Sequence, residues 1–168
     1  MTLEPLTDHP DHETLAYRRA LGAFATGVCV ITTDGATGPV GITVNSFASV
    51  SLNPRLVVWS LDERSGRGAA FAGAERFAIH VLPADDRSLA ARFASGSCAL
   101  SDGEYVRDGD GPPRLPEALA RFDCAAHQRI RMGDHLMIVG RVEAFDAQPG
   151  DALTYFRGRY GVAPESKA

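Results

Sequence analysis

Between Gly41 and Ser60 the chain carries two short apolar, strand-like runs joined by a segment crowded with small hydroxyls and amides. Thr43, Asn45, Ser46, Ser49, Ser51 and Ser60 supply neutral donors and acceptors with little bulk and no charge to bury. A surface loop between two core strands does not need so much Ser and Asn. A ligand pocket with a few placed polar groups in apolar walls does. The chain is thereby constrained to a β-rich fold whose strand connection faces a polar ligand.

The rest of the pattern agrees. Residues 28–33 and 40–46 are β-rich runs separated by Asp34-Gly35-Ala36-Thr37-Gly38-Pro39, whose Asp-Gly step reads as a hairpin turn. Further strands are expected at 56–61, 77–82, 122–131 and 135–145, the last two meeting at Met132-Gly133-Asp134. Apolar residues at near-helical spacing predict an amphipathic helix over 12–25. Shorter helices are expected at 65–73, with Ser65 as its cap, and at 85–93. Residues 97–116 are Gly/Pro-rich and irregular, long enough either to shape access to a site or to cap the fold. Strands outnumber helices at mostly hairpin-like spacing. The expectation is a mainly β fold with flanking helices, an antiparallel sheet closed into a barrel, since closure removes exposed edges.

Composition narrows the function classes. A 168-residue chain with 45% hydrophobic residues fits one domain with a real core. We expect it at 13–161, between a loose polar arm at 1–12 and a tail at 162–168. The net charge is −4, and sixteen arginines are dispersed with a single lysine, Lys167, which argues against nucleic-acid binding. No run is apolar enough for a membrane span, and the start lacks the pattern of a secretory signal. Cys29, Cys98 and Cys124 form no C-x-x-C pair; Cys29 and Cys124 sit in strand-like runs as small buried hydrophobes, and the set fits a reducing cytoplasm. The five histidines show no ligand spacing, so no metal site is expected. Rossmann and P-loop fingerprints are both missing, so a nucleotide would have to be held by other means. Arg64, Ser65 and Arg67 at a helix start would suit a phosphate. Phe47 and Trp59 read as core residues.

Four motifs, in order, resemble those of the flavin reductase-like, FMN-binding split-barrel family. Gly41, Thr43, Asn45, Ser46, Phe47, Ser49, Val50, Ser51 and Pro54 match a signature close to G-x-T-x-N-S-F-x-S-V-S-x-x-P-P, with Arg55 at the second proline. Upstream, Phe24-Ala25-Thr26-Gly27-Val28 resembles its F-x-T-G-V opening; downstream, Gly133-Asp134-His135 and Gly140 resemble G-D-H-x-x-x-x-G. Tyr155 to Tyr160 resembles the closing Y-x-x-G-x-Y.

The resemblance implies a dimeric split barrel of six or seven strands with flavin at the subunit interface. It implies that Thr43 and Asn45 border the isoalloxazine ring, that Ser46 contacts the flavin together with Val44, Ser49, Val50 and Ser51, and that Ser60 reaches the phosphate side. It puts Ser65 and Arg67 near the phosphate, although Gly66, Arg67 and Gly68 stand where further hydroxyls are frequent. His135 would meet the nicotinamide, and Arg157, Arg159 and Tyr160, with Tyr155, would close over the dinucleotide. His80 replaces the usual asparagine, either at a pocket edge or as a surface replacement; we favour the surface.

The activity implied is an NAD(P)H:flavin oxidoreductase, passing hydride from nicotinamide C4 to flavin N5, with reduced flavin supplied to a separate monooxygenase or halogenase. Rivals are a non-catalytic FMN-binding electron carrier of the same fold and a flavin-dependent ferric reductase. FMN against FAD, and NADH against NADPH, stay open at this level.

Overall fold

The computed structural model describes residues 11–66 and 68–166. The expected arm falls almost wholly outside them. The first helix, α1 (His12–Leu21), starts where Asp11 caps it, its carboxylate accepting from the Thr14 amide at 2.6 Å. It ends four residues earlier than the periodicity predicts, because the chain turns at Gly22 into the two-residue strand β1 (Thr26–Gly27). No residue of α1 is buried in the single chain.

Strands β2 (Cys29–Gly35) and β3 (Gly38–Val44) form the expected hairpin, paired from Cys29–Val44 to Gly35–Gly38. After β3 come β4 (Ala48–Leu52) and β5 (Arg55–Asp62), the short helix α2 (Ala69–Ala72), β6 (Arg76–Val81), a 3-10 turn at Ala84–Asp86 and α3 (Arg87–Ser95). The long strands β7 (Ala120–Met132) and β8 (His135–Ala147) follow, then β9 (Ala152–Phe156) and β10 (Arg159–Ala163). Seven strands make one antiparallel sheet in the order β3-β2-β6-β7-β8-β5-β4, and β1-β9-β10 make a second.

The split-barrel class stands, but the large sheet is not closed by hydrogen bonds: β3 and β4 are its two edges. Each edge is blunted differently. The segment 97–116 covers β3, where Gly41 donates to the Cys98 carbonyl at 2.7 Å and Leu100 to that of Pro39 at 2.9 Å. Strand β4 is short and its register shifts between Ser49 and Ser51. The sequence marks this stretch only as the connection between strands. The strand pattern does not predict the β9–β10 hairpin; Arg157 and Gly158 turn it with φ of 48° and 77°, the paired positive values that a two-residue type I′ turn needs.

Side-chain alternation along β2 divides the core in two. Cys29 and Ile31 face one cluster, where Trp59 sits edge-on to Phe71 and Phe77 with centroids 6.0 and 5.9 Å apart. Val28 and Val30 face the other, with Leu82, Phe93, Leu100, Leu115 and Leu153. Trp59 is thus a core residue, as expected, and Phe47 packs at the first cluster's margin, stacked on Phe122 at 5.7 Å. Both conspicuous motif glycines answer to this packing. A Cβ on Gly140 would lie 2.7 Å from the Phe77 ring and 3.0 Å from Cys124, and one on Gly41 would lie 3.0 Å from Phe93.

His80 lies on neither a pocket edge nor the surface, correcting the expectation. It is completely buried. Nδ1 lies 3.0 Å from the Val30 carbonyl, and Nε2 accepts from the Leu115 amide at 3.0 Å. An acceptor Nε2 leaves the proton on Nδ1, which donates to Val30. Burial pushes the imidazole down to about 4, so the ring is neutral at physiological pH.

Candidate active site

A cavity of about 590 Å³ opens where the end of β3, the end of β5 and the β7–β8 turn converge. Thr43, Val44, Asn45, Ser46, Ser60, Ser65 and His135, all expected site residues, line it together. The alternation of β5 explains Ser60: Val57, Trp59 and Leu61 go to the core, so Ser60 and Asp62 share the opposite face. His135 arrives by a tight turn in which Gly133 takes φ of 62° and Met132 pairs with His135.

The hydroxyls of the motif divide by job. Thr43 Oγ1 donates to the Ala90 carbonyl at 2.8 Å, pinning α3 to β3. Ala94 lies one helical turn beyond Ala90 and lines the cavity with a side chain that leaves room. Ser46 Oγ accepts from the Ser60 amide at 2.9 Å and donates to the Ser60 carbonyl at 3.2 Å, latching the strand connection onto β5. These two hydroxyls build the walls. Among the described residues the Asn45 carboxamide and the Ser60 hydroxyl make no hydrogen bond, and they remain to meet a ligand.

Two lining residues, Asp62 and His135, are joined behind the cavity wall through Arg64 and Asp134. Arg64 grips Asp62 through Nε and Nη2, each at 3.2 Å, and its Nη2 reaches Asp134 Oδ2 at 3.0 Å. Asp134 Oδ1 lies 2.7 Å from His135 Nδ1. The hydrogen bond from His135 holds the Asp134 carboxyl below the usual carboxylate range, with Arg64 a smaller contribution; Arg64 does the same for Asp62. The helix start expected at Ser65 lies further along the chain. Helix α2 is four residues long, its cap is Gly68 rather than Ser65, and the Arg64 guanidinium is engaged by two carboxylates. Arg67 lies outside the described residues.

The tail motif stands beside the cavity. A hollow of about 180 Å³ shares Thr43, Val44, Asn45 and Ala94 with it and adds Val28, Tyr155 and Tyr160. The Tyr155 and Tyr160 rings meet edge-on at 5.4 Å. Arg157 and Arg159 do not line the main cavity; they border a separate hollow of about 450 Å³ with Tyr160. Arg157 also borders a larger one, about 840 Å³, against α1 with Arg18 and Arg19, which contains none of the motif hydroxyls. Ser49, Val50 and Ser51 lie on the edge strand β4 and line none of these hollows, Val50 being 55% exposed.

Six further lining residues, Ile42, Leu61, Asp62, Ala94, Met132 and Met137, are not among those the sequence points to. Two had a signal: Met137 follows His135 by two, the same-face spacing of a strand, and Met132 closes the turn opposite His135. The donor set suits a flavin. Ile42, Val44, Leu61 and the two methionines offer flat apolar contact to a ring system, and Asn45 and Ser60 offer neutral hydrogen bonds to its polar edge.

Comparison with known proteins agrees with this chemistry. Residues 21–164 match the family described as flavin reductase like domain. The chain is 47% identical over 146 residues to the FMN reductase (NADH) SmoA of Agrobacterium fabrum, covering 87% of this chain and 84% of that protein. It spans only 47%, 64% and 49% of three further curated relatives. Among solved structures, the flavin reductase component of a bacterial two-component tryptophan halogenase superposes with a TM-score of 0.83 at 30% identity, over 91% of this chain and 99% of that one. The NADH:FAD oxidoreductase of Streptomyces globisporus, in complex with NAD and FAD fragments, gives 0.80 at 33% identity, over 94% and 96%. With a match across most of its length and the motif residues gathered at one cavity, the chain belongs to the flavin reductase-like domain family.

Proposed function

We propose that this chain is an NADH-dependent flavin reductase that hands reduced flavin to a separate flavin-dependent monooxygenase or halogenase. The observation that carries the reading is the cavity in which Asn45 and Ser60 stand with their polar groups unspent, opposite His135. The FMN reductase (NADH) of Agrobacterium fabrum and the halogenase reductase component support the reductant and the kind of partner.

A bound flavin supplies a two-electron acceptor at N5 for the hydride leaving nicotinamide C4. Everything else falls to the chain. Among the lining residues, Ile42, Val44 and Leu61 would exclude water from a ring system, Asn45 and Ser60 would fix its polar edge, and His135 would hold the nicotinamide amide. Ser65 serves the phosphate side. No side chain need carry hydride or electrons, in keeping with buried thiols at Cys29 and Cys124 that lie in the core instead of the cavity. Tyr160 flanks the site, and Arg157 and Arg159 serve the extended part of a dinucleotide or the neighbouring subunit. Ser49, Val50 and Ser51 act only through the position of β4.

The working unit in this reading is a homodimer in the cytoplasm. Phe24 and Leu52 are 78% and 91% exposed in the single chain, and α1 buries nothing, so apolar surface is left for a second copy. Three unpaired cysteines suit a reducing compartment. Among the described residues, no helix is long and apolar enough to cross a membrane.

The test is oxidation of NADH and of NADPH by purified protein with FMN, with FAD and with no flavin. Oxidation that saturates with free flavin is the expected result. Flavin binding without oxidation of either nucleotide would instead leave a flavin-binding module.

A further inference from the structure

Resting on the reading of His135 as a nicotinamide contact, we propose that Arg64 is a positioning residue that sets the tautomer of His135 by holding Asp134. The two oxygens of Asp134 have separate tasks. Oδ2 takes Arg64 Nη2 at 3.0 Å, and Oδ1 lies 2.7 Å from His135 Nδ1. Arg64 is itself fixed three times by Asp62, through its backbone amide at 2.9 Å and through Nε and Nη2 at 3.2 Å. The order of control runs from β5, through the connection after it, to the β7–β8 turn, and ends on the imidazole.

A carboxylate accepts and does not donate, so a neutral His135 bonded to it must carry its proton on Nδ1. Nε2 is then a lone-pair acceptor. In a neutral imidazole the hydrogen bond made by one nitrogen decides the role of the other. On a residue that lines the cavity, an acceptor nitrogen suits an amide N–H, which the carboxamide of a reduced nicotinamide offers and a carbonyl edge does not. The ion pairs themselves are solvent-exposed, Arg64 at 64% and Asp134 at 56%, so they add little to folding stability. Their consequence is geometric. Freed from Arg64, the Asp134 side chain turns into solvent and His135 loses the partner that selects Nδ1–H. The other charges nearby, Glu63 and Arg131, pair with each other at 2.8 Å.

The experiment is long-range ¹⁵N NMR of the histidine rings in the flavin-free full chain, followed across neutral to mildly alkaline pH, for wild type, Arg64→Ala, Arg64→Lys and Asp134→Ala. Wild type is expected to show His135 predominantly protonated on Nδ1. Arg64→Ala and Asp134→Ala should both lose that preference, and Arg64→Lys should recover part of it, since an ammonium meets one carboxylate but cannot fork across two. In turnover assays the KM for NADH should rise about tenfold in both alanine variants, as expected for one charged hydrogen bond, while the dissociation constant for flavin stays within about twofold. An unchanged His135 tautomer in Arg64→Ala, or a loss of flavin affinity in place of the rise in KM, overturns the proposal. A wild type that oxidises neither nucleotide would remove the reductase reading while the NMR comparison still judges the role of Arg64.

Discussion

The amide of Leu115 donates to Nε2 of His80 at 3.0 Å, so a completely buried histidine fastens the 97–116 segment to strands β2 and β6. The same ring donates from Nδ1 to the Val30 carbonyl. Its pKa, near 4 in the folded chain, lies below the ordinary 6.5. As pH falls through that window the unfolded chain takes up the proton first, so stability holds above about pH 6.5 and declines toward pH 4. The full effect is on the order of 3 kcal/mol. Urea unfolding of wild type and His80→Gln across pH 7.5 to 4.5 checks it: the two profiles should converge on acidification, because only wild type loses this contribution.

Arg114 anchors the same segment, donating from Nε to Asp123 Oδ1 at 3.1 Å, and Asp123 is only 6% exposed. Arg114→Ala leaves a buried carboxylate without its partner and should cost about 3 kcal/mol. None of 97–116 lines the main cavity, so flavin affinity of the folded variant should stay near wild type. Chemical denaturation and flavin titration together separate a capping role for the segment from a role in access.

Gly140→Ala should destabilise by about 1–3 kcal/mol, the range for overpacking a filled core. The new methyl would meet Phe77 and Cys124, both 1% exposed. A lowered urea midpoint with an unchanged slope is the expected signature.

Ser46→Ala removes the latch between the strand connection and β5. The Ser60 amide loses its acceptor, and Asn45, next in the chain, loses its fixed position at the cavity. Flavin affinity should fall about five- to tenfold, as expected for ~1 kcal/mol of lost orientation; fluorescence titration of the flavin reads it.

Burial pushes the thiols of Cys29 and Cys124 up to about 12, so both stay protonated and shielded at neutral pH. Only Cys98, half-buried in the 97–116 segment, has access to solvent. A thiol-reagent assay should count one fast-reacting group in the native protein and three after denaturation.

Much of this was legible in the chain. The β2–β3 hairpin follows from β-branched runs on either side of an Asp-Gly step, a signal that needs no distant partner. The motif around Asn45 and the Gly-Asp-His turn marked residues that do converge at one cavity. The β9–β10 hairpin escaped because its turn uses Arg157 at positive φ, a conformation that propensity does not assign to arginine. The burial of His80 escaped because alternation fixes two faces of a strand without saying which one a remote loop will cover. The roles of Thr43, Ser46 and Arg64 escaped for a related reason: a hydroxyl or guanidinium can serve a ligand or its own fold, and only its neighbours decide.

By itself the sequence determined the β-rich class, the β2–β3 hairpin with its local turn chemistry, the family and the motif residues Thr43 to Ser46, Ser60, Ser65 and His135 at the cavity. Each rests on short-range preferences or on a motif written along the chain. The tertiary structure alone decided that the large sheet stays open, with β3 covered and β4 bare, and that Asn45 and Ser60 keep free polar groups while Thr43 and Ser46 do not. It also decided that Asp62, Arg64, Asp134 and His135 form one connected chain. Those outcomes depend on contacts between residues far apart in sequence, whose partners are set only when the strands pack.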